Sequence, residues 1–358
     1  MAKTGPIRVG LAGIGRAGWG MHCVELDKRS RKFRVVAACD IDPERCTRMA
    51  QRYGCRTYAR IEDLVKDPEV DLVDIATRSP EHVRHATLAL RAGKIVFLEK
   101  PMALGLREAR QLAAAARRCK GQLFIRHNRR FETAFQQIRD IIARGLLGHV
   151  HTVKLRRNGY QRRNDWQTLI GAGGGQLLNW GPHIVDHALQ YLAAPVAELW
   201  SSLDRIAAVG DAEDHLKIVL KGTNGRVVDL EISGGAALGE PETIVLGSKG
   251  ALSCDGREIR MRYLDPRKKL APRRASGVTP PMEGSFGGHD VLDWMEQSVP
   301  LNPAKWGDID SIWDHLYAAL RRGRKFPVTL AQALDVMAVI SAVRQGTRFD
   351  RAPERKTR

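Results

Sequence analysis

The sequence has no run of about eighteen consecutive apolar residues, the length a helix needs to cross a bilayer, which excludes a membrane-spanning helix. Its six cysteines (Cys23, Cys39, Cys46, Cys55, Cys119 and Cys254) include no CxxC pair and no zinc-type spacing. That argues against a zinc module and for reduced, mostly buried thiols in a cytosol. The first strand pattern starts at Ile7 and leaves no room for a signal peptide, so a cytoplasmic chain is expected. Acidic residues are in deficit: 40 Asp and Glu face 58 Lys and Arg, a formal net charge of +18. The excess does not gather into the single basic stripe with interleaved aromatics that a nucleic-acid module shows. It is spread over residues 28–34, 126–130, Arg156, Arg157, Arg162, Arg163 and 267–274. The expectation is a solvated, arginine-rich surface with no nucleic-acid and no membrane partner. Attraction of an anionic cofactor or substrate is the functional alternative. No internal repeat is visible.

What is present is enough for two domains with complete cores: 358 residues, 43% apolar and 27% charged. In the first third, strand patterns at 7–12, 33–39, 70–76, 95–98 and 122–126 alternate with helix patterns at 17–28, 43–53, 80–92 and 105–119. Asp42-Pro43 and Ser79-Pro80 read as cap-then-proline helix starts, and Gly54 and Gly93 as stops. The alternation predicts an α/β fold whose residues 1–126 form a doubly wound parallel sheet. After a helix at 131–144, ended by Gly145, strand patterns follow one another at 150–155, 196–207, 216–221, 226–232, 243–246 and 258–263. One helix, 182–192, interrupts them. Turns such as Gly222-Thr223-Asn224-Gly225 suit a mostly antiparallel, open sheet, so 127–349 is expected to be a second α/β domain. Residues 266–288 read as a loop, 309–322 and 330–344 as closing amphipathic helices with Phe326-Pro327-Val328 between them, and 350–358 as a frayed tail.

Three segments carry chemistry. Gly13-Ile14-Gly15-Arg16-Ala17-Gly18 follows the first strand and opens the first helix, where glycines allow a tight turn and let backbone N–H groups approach a pyrophosphate. Asp40 ends the second strand, where a carboxylate bonds the adenosine ribose diol and repels a 2′-phosphate; NAD is expected over NADP. Ile41 beside it is counted with the cofactor site, as are Thr77 and His82, which follow a parallel strand. The second segment is Glu99-Lys100-Pro101. The apolar run before it is a buried strand that Pro101 stops, so Lys100 lands at the sheet's carboxyl edge, where it can hold a hydroxyl or stabilise negative charge. The third runs from Gly173 through Asn179 to Pro182 and His183. Pro182 suits the first turn of a helix, and a neutral His183 there can take a hydroxyl proton. His183, Asp186 and His187 share a helix face and could hold a metal, but the apolar Ile184, Val185, Ala188 and Leu189 around them argue for a buried helix and no metal. Asp186 is then a carboxylate that orients His183 or another residue. Tyr160, Arg162, Arg163, Asp165 and Trp166 supply stacking and donors suited to a polyhydroxylated ring, with His289 and Asp290 as weaker candidates.

In this order the segments resemble the glucose–fructose oxidoreductase/inositol dehydrogenase (Gfo/Idh/MocA) family, a likeness that also takes in His127-Asn128-Arg129-Arg130-Phe131 and Phe326-Pro327-Val328. The resemblance implies a Rossmann domain, an α/β domain with an open sheet that pairs protomers into a homodimer or homotetramer, and a dinucleotide at the domain junction. It makes Lys100 the catalytic lysine and His183 the proton-transferring histidine, and marks Asn128 and Arg129 as substrate contacts. Asn179 departs from the pattern, since many dehydrogenases of the family carry Asp there. An amide holds no charge, so Lys100 should have a lower pKa than in those relatives, with His183 alone handling the proton. Glu99 would fix the nicotinamide ribose or brace the lysine. The function so implied is NAD-dependent oxidation of a secondary hydroxyl of a sugar, glycoside or polyol. Glycoside cleavage through transient oxidation, and nucleotide sensing without catalysis, are the alternatives.

Overall fold

The computed structural model describes residues 5–275, 277 and 290–350. The expected tail beyond Asp350, the last part of the 266–288 loop and His289 lie outside the described residues. Six parallel strands form the first sheet: β1 (Ile7–Ala12), β2 (Phe33–Cys39), β3 (Arg56–Tyr58), β4 (Leu72–Ile75), β5 (Ile95–Glu99) and β6 (Leu123–Arg126), in the order β3-β2-β1-β4-β5-β6. Between them lie α1 (Cys23–Asp27), α2 (Pro43–Tyr53), α3 (Ile61–Leu64), α4 (His82–Arg91) and α5 (Leu106–Arg118). The central strands read as apolar runs because both faces are covered. Val96 and Leu98 pack with α4 and α5, while Phe97 between them points into the opposite core. The expected cap at α2 is present: the Asp42 side chain accepts from Glu44 N at 3.0 Å, and Gly54 ends the helix with φ of 60°.

The second sheet has eight strands: β7 (Val150–Asn158), β8 (Val196–Asp204), β9 (His215–Gly222), β10 (Val227–Ser233), β11 (Thr243–Gly247), β12 (Gly250–Cys254), β13 (Glu258–Leu264) and β14 (Trp294–Pro300). Their order is β14-β13-β12-β11-β7-β10-β9-β8, antiparallel throughout except where β10 lies parallel to β7. The remaining helices are α6 (Thr133–Ala143), α7 (Gln176–Asn179), α8 (Gly181–Leu192), α9 (Pro303–Trp306), α10 (Ile312–Arg322) and α11 (Leu330–Arg344). One face of the sheet packs on α8 and α11; the other is open.

Six elements escape the sequence patterns, among them α7 and α9, each a single turn. β3 is a three-residue edge and α3 a single turn, both too short for a period. β12 pairs with β11 across a tight Ser248-Lys249 turn, its Ala251-Leu252-Ser253-Cys254 run too short for a pattern of its own. β14 is an edge strand with little apolar alternation. The helix expected at 17–28 starts instead as a π-turned segment, Gly18–His22, before α1.

The closing helices tie the halves together. Trp313 of α10 is fully buried on the first sheet, its ring edge-on to Phe33 at 5.2 Å and to Phe97 at 4.8 Å. α11 contacts α5 and β6 on one side and α8 and β8 on the other. No helix among the described residues is long and apolar enough to cross a membrane. All six cysteines are free, and only Cys119 is exposed.

Candidate active site

The glycine turn is set by close backbone approach. A Cβ on Gly13 (φ 91°) would lie 2.5 Å from Thr77 N, and one on Gly18 would lie 2.1 Å from Gly13 O. These two glycines let β1 pass against the exit of β4. Gly15 differs, since nothing lies within 4 Å of its Cβ position. Its backbone borders open space, as a loop that admits a phosphate requires. Asp40 is buried at the end of β2; its Oδ2 accepts from Ile14 N at 2.6 Å and its Oδ1 from Asp42 N at 3.0 Å, with Arg45 approaching at 3.5 Å. Ile41 next to it is 89% exposed, an apolar surface beside a buried carboxylate. These residues fit a dinucleotide.

Lys100 follows β5, its peptide bond to Pro101 is cis, and its Nζ donates to the main-chain oxygen of Asn179 at 3.0 Å. The Asn179 side chain is engaged elsewhere, its Oδ1 accepting from Gln167 Nε2 at 3.3 Å. Asn179 therefore holds Lys100 through its backbone and not through its side chain. Burial lowers the Lys100 pKa; Glu99 opposes the shift, and Arg129, Arg126 and Arg16 add to it. Desolvation is thus the largest cause of the lowering.

Glu99 does not face the open site. Its Oε1 accepts from His22 Nε2 at 2.9 Å and Arg126 Nη1 at 2.7 Å, and its Oε2 from Lys100 N at 3.0 Å. Of the two expected roles, bracing the lysine matches this geometry and contact with a ribose does not. His22 Nδ1 also donates to Asp74 at 2.7 Å, and Arg126 reaches Glu25, which accepts from Trp313 Nε1 at 2.6 Å. With both ring nitrogens against carboxylates, His22 is an imidazolium: burial opposes the charge, but Asp74 and Glu99 lift its pKa to about 9. Burial and Arg126, the two largest influences on Glu99, pull in opposite directions, and with His22 and Lys100 added its pKa falls well below the usual carboxylate range. This network lies under the lysine in an otherwise apolar core.

His183 is buried at the start of α8, and its Nδ1 has no partner among the described residues. Gly175 (φ 104°) turns the chain into α7, which ends beside it. Burial, then Lys100, Arg129, His127 and His187, push the His183 pKa well below its ordinary value, so the ring is neutral and able to accept a proton. Trp180 lies edge-on to His183 at 6.1 Å, and the Arg129 guanidinium sits 4.2 Å over the Trp180 ring. Lys100, His183 and Arg129 thus share one site. Arg16, on the glycine turn, adds a small further lowering to the Lys100 pKa.

Several expected residues have other work. His82 is buried with Nδ1 2.7 Å from Pro101 O and Nε2 3.0 Å from Thr77 O, so it pins the loop after Lys100 and does not face a cofactor. Thr77 itself lies against the glycine turn and bonds His85 at 3.1 Å. Asp186 pairs with Arg130, whose Nε donates to Oδ2 at 2.9 Å, and His187 Nε2 donates to Arg129 O at 2.8 Å. The face shared by His183, Asp186 and His187 is therefore divided: Asp186 binds Arg130, His187 binds Arg129, and His183 Nδ1 has no partner among the described residues. Arg163 binds Asp165 and, at 2.6 Å, Gln167 Oε1; Trp166 is covered by Arg78 at 5.6 Å. Tyr160 is exposed and bridges to Gly235, Asn128 is buried, and Asp290 pairs with Arg273. Sequence reasoning missed Gln167, which links Arg163 to Asn179, because a lone glutamine carries no periodic or charge signal. It also passed over His127, buried beside Lys100 and His183 with Nδ1 unpartnered and its pKa driven by burial to about 4.

Residues 7–127 match the model described as "Oxidoreductase family, NAD-binding Rossmann fold", and 135–253 match the GFO/IDH/MocA C-terminal domain. The uncharacterized oxidoreductase YdgJ of Escherichia coli (strain K12) is 28% identical over 93% of this chain and 94% of its own length. The scyllo-inositol 2-dehydrogenase (NADP(+)) IolW of Bacillus subtilis (strain 168) is 24% identical over 98% and 96%. Among solved structures, GenD2 from gentamicin A biosynthesis, in complex with NAD, superposes with a TM-score of 0.74 at 24% identity, covering 96% of this chain and 95% of that one.

Proposed function

Since the chain belongs to the GFO/IDH/MocA family of oxidoreductases acting on CH–OH groups, we propose that it is an NAD-dependent dehydrogenase of a secondary hydroxyl on a sugar, glycoside or polyol. The observation that carries this reading is the Lys100 ammonium, 3.0 Å from Asn179 O, in one buried site with the neutral His183, beside the glycine turn. Bound NAD supplies the hydride acceptor. Lys100 bonds the substrate oxygen and stabilises the negative charge that grows on it. His183 removes the hydroxyl proton. Gln167 and Arg163 hold the Asn179 turn, and Trp166 and Arg129 offer the ring face and donors that a polyhydroxylated substrate needs. Asp40 in the adenosine-ribose position supports NAD over NADP, although IolW uses NADP(+).

The open face of the second sheet supports a homodimer or homotetramer. Across its rows lie Trp200, Val219, Ile244 and Ala251 together with Glu198, Lys217, Asp229, Glu231, Arg260 and Arg262, a mix of apolar and opposite charges suited to self-pairing. Free reduced thiols support a cytoplasmic location.

The test is a panel of sugars, polyols and glycosides with NAD, following reduced nicotinamide and released aglycone together. NADH formed in step with a keto product is the expected result. Aglycone release without net NADH would indicate cleavage by transient oxidation. Wild-type NAD binding with no turnover, and no effect of Lys100→Ala on it, would indicate a sensor.

A further inference from the structure

The charges around the reacting pair are one-sided. Lys100 Nζ has a single acceptor among the described residues, the neutral oxygen of Asn179. Glu99, the adjacent carboxylate, is spent on His22, Arg126 and the Lys100 N–H. No carboxylate bonds His183 among the described residues, and the groups acting most strongly on it after burial (Lys100, Arg129, His127 and His187) all disfavour its protonation. Arg129 is fixed in place by Trp180 under its guanidinium and by His187 Nε2 on its main-chain oxygen at 2.8 Å. Its counterion Glu132 is shared with Arg157. Arg78, on the exit of β4, is exposed and lies over the face of Trp166.

Turnover does not relieve the imbalance. When a carbinol gives its hydride to NAD and its proton to His183, the positive charge lost by the nicotinamide reappears as an imidazolium beside Lys100 and Arg129. A buried site that holds like charges raises the cost of that state, and a fixed anion lowers it. Among the described residues no carboxylate bonds Lys100 Nζ or the His183 ring. A carboxylate on the substrate would supply that anion, and a guanidinium braced by an indole is a ready partner for one.

Resting on the dehydrogenase reading, we infer that the substrate is acidic: a sugar acid or hydroxylated ring acid whose carboxylate is bound by Arg129, with Arg78 drawing it to the mouth. The oxidation yields the keto acid, NADH and one proton, and the carboxylate is unchanged.

Matched compounds test this on the NAD-loaded protein: D-glucose, D-glucuronate and glucose 6-phosphate, D-galactose and D-galacturonate, and myo-inositol and quinate. Binding is measured by calorimetry and turnover by NADH formation. The acids should bind at least roughly tenfold tighter than their neutral partners, and added salt should weaken the acids alone. Arg129→Gln should erase most of that preference and Arg129→Lys restore part of it, with thermal melting showing both variants folded. If Arg129→Gln does not fold, the salt dependence of the wild type decides alone. Equal or tighter binding of the neutral compounds overturns the inference, as does tighter binding of the phosphate ester than of the uronate. NADH formed from neutral sugars alone overturns it while keeping the dehydrogenase reading. Preferential binding of acids with no NADH from any compound instead sinks that reading.

Discussion

Lys100 and His183 divide the chemistry because their surroundings push them to opposite uses. Desolvation lowers both pKa values, but Glu99 beneath the lysine keeps it attracted to a proton, while the groups acting most strongly on the imidazole all disfavour its protonation. Lys100→Met and His183→Ala should each lower kcat/KM by about 10²–10⁴-fold while NAD still binds, checked by steady-state kinetics and by titration of the cofactor. Asn179→Asp adds a negative charge beside both groups and should raise both pKa values. Because His183 acts as the neutral base, the acid limb of the kcat/KM profile should then move to higher pH. A faster variant with an unmoved pH profile would show that charge at position 179 does not govern the pair. Lys100 and His183 were legible in sequence because each sits at a strand end or helix start marked by proline, and Asn179 through the family resemblance, four residues before His183. The roles of Glu99 and His82 were not, because a buried side chain's partners come from other segments.

The short α7 and the glycines before it are the element that sets the Asn179 carbonyl. Glu213, just before β9, lies beneath them: its main-chain oxygen accepts from Gln176 N at 3.0 Å and its Oε1 from Leu177 N at 3.0 Å. A Cβ at Gly175 would collide with its carboxylate at 2.2 Å, so glycine is required there. Burial pushes the Glu213 pKa from 4.5 up to about 7. Between those values the folded protein holds a proton that the unfolded chain has released. Stability therefore falls as pH rises through that window, by about 3 kcal/mol. Urea unfolding at acidic and at mildly alkaline pH should show this slope in the wild type and a flatter one in Glu213→Gln. An unchanged slope would assign it to another group. Periodicity located α8 and the glycine segment, yet Glu213 looked like one more acidic loop residue, since burial of a loop carboxylate leaves no local trace.

At the scale of the whole molecule, α10 and α11 return from the second domain to close the first, so the site between them rests on packing from both ends of the chain. The open sheet is the surface left over. Light scattering should report a dimer or larger assembly, and Trp200→Asp with Val219→Lys should reduce it to monomer without altering the far-ultraviolet spectrum; a wild-type monomer would reject the sheet as an interface. Locally repeating patterns determined the parallel sheet, its glycine turn, the order of elements and the strand end that carries Lys100, because period, glycine and proline act through neighbours in the chain. Only the tertiary structure decided what Lys100 touches. Its acceptor on Asn179 lies 79 residues away, and the Arg130–Asp186 pair spans 56. Which charge meets which in a buried site depends on how distant segments pack, and the cost of desolvation exists only once they have.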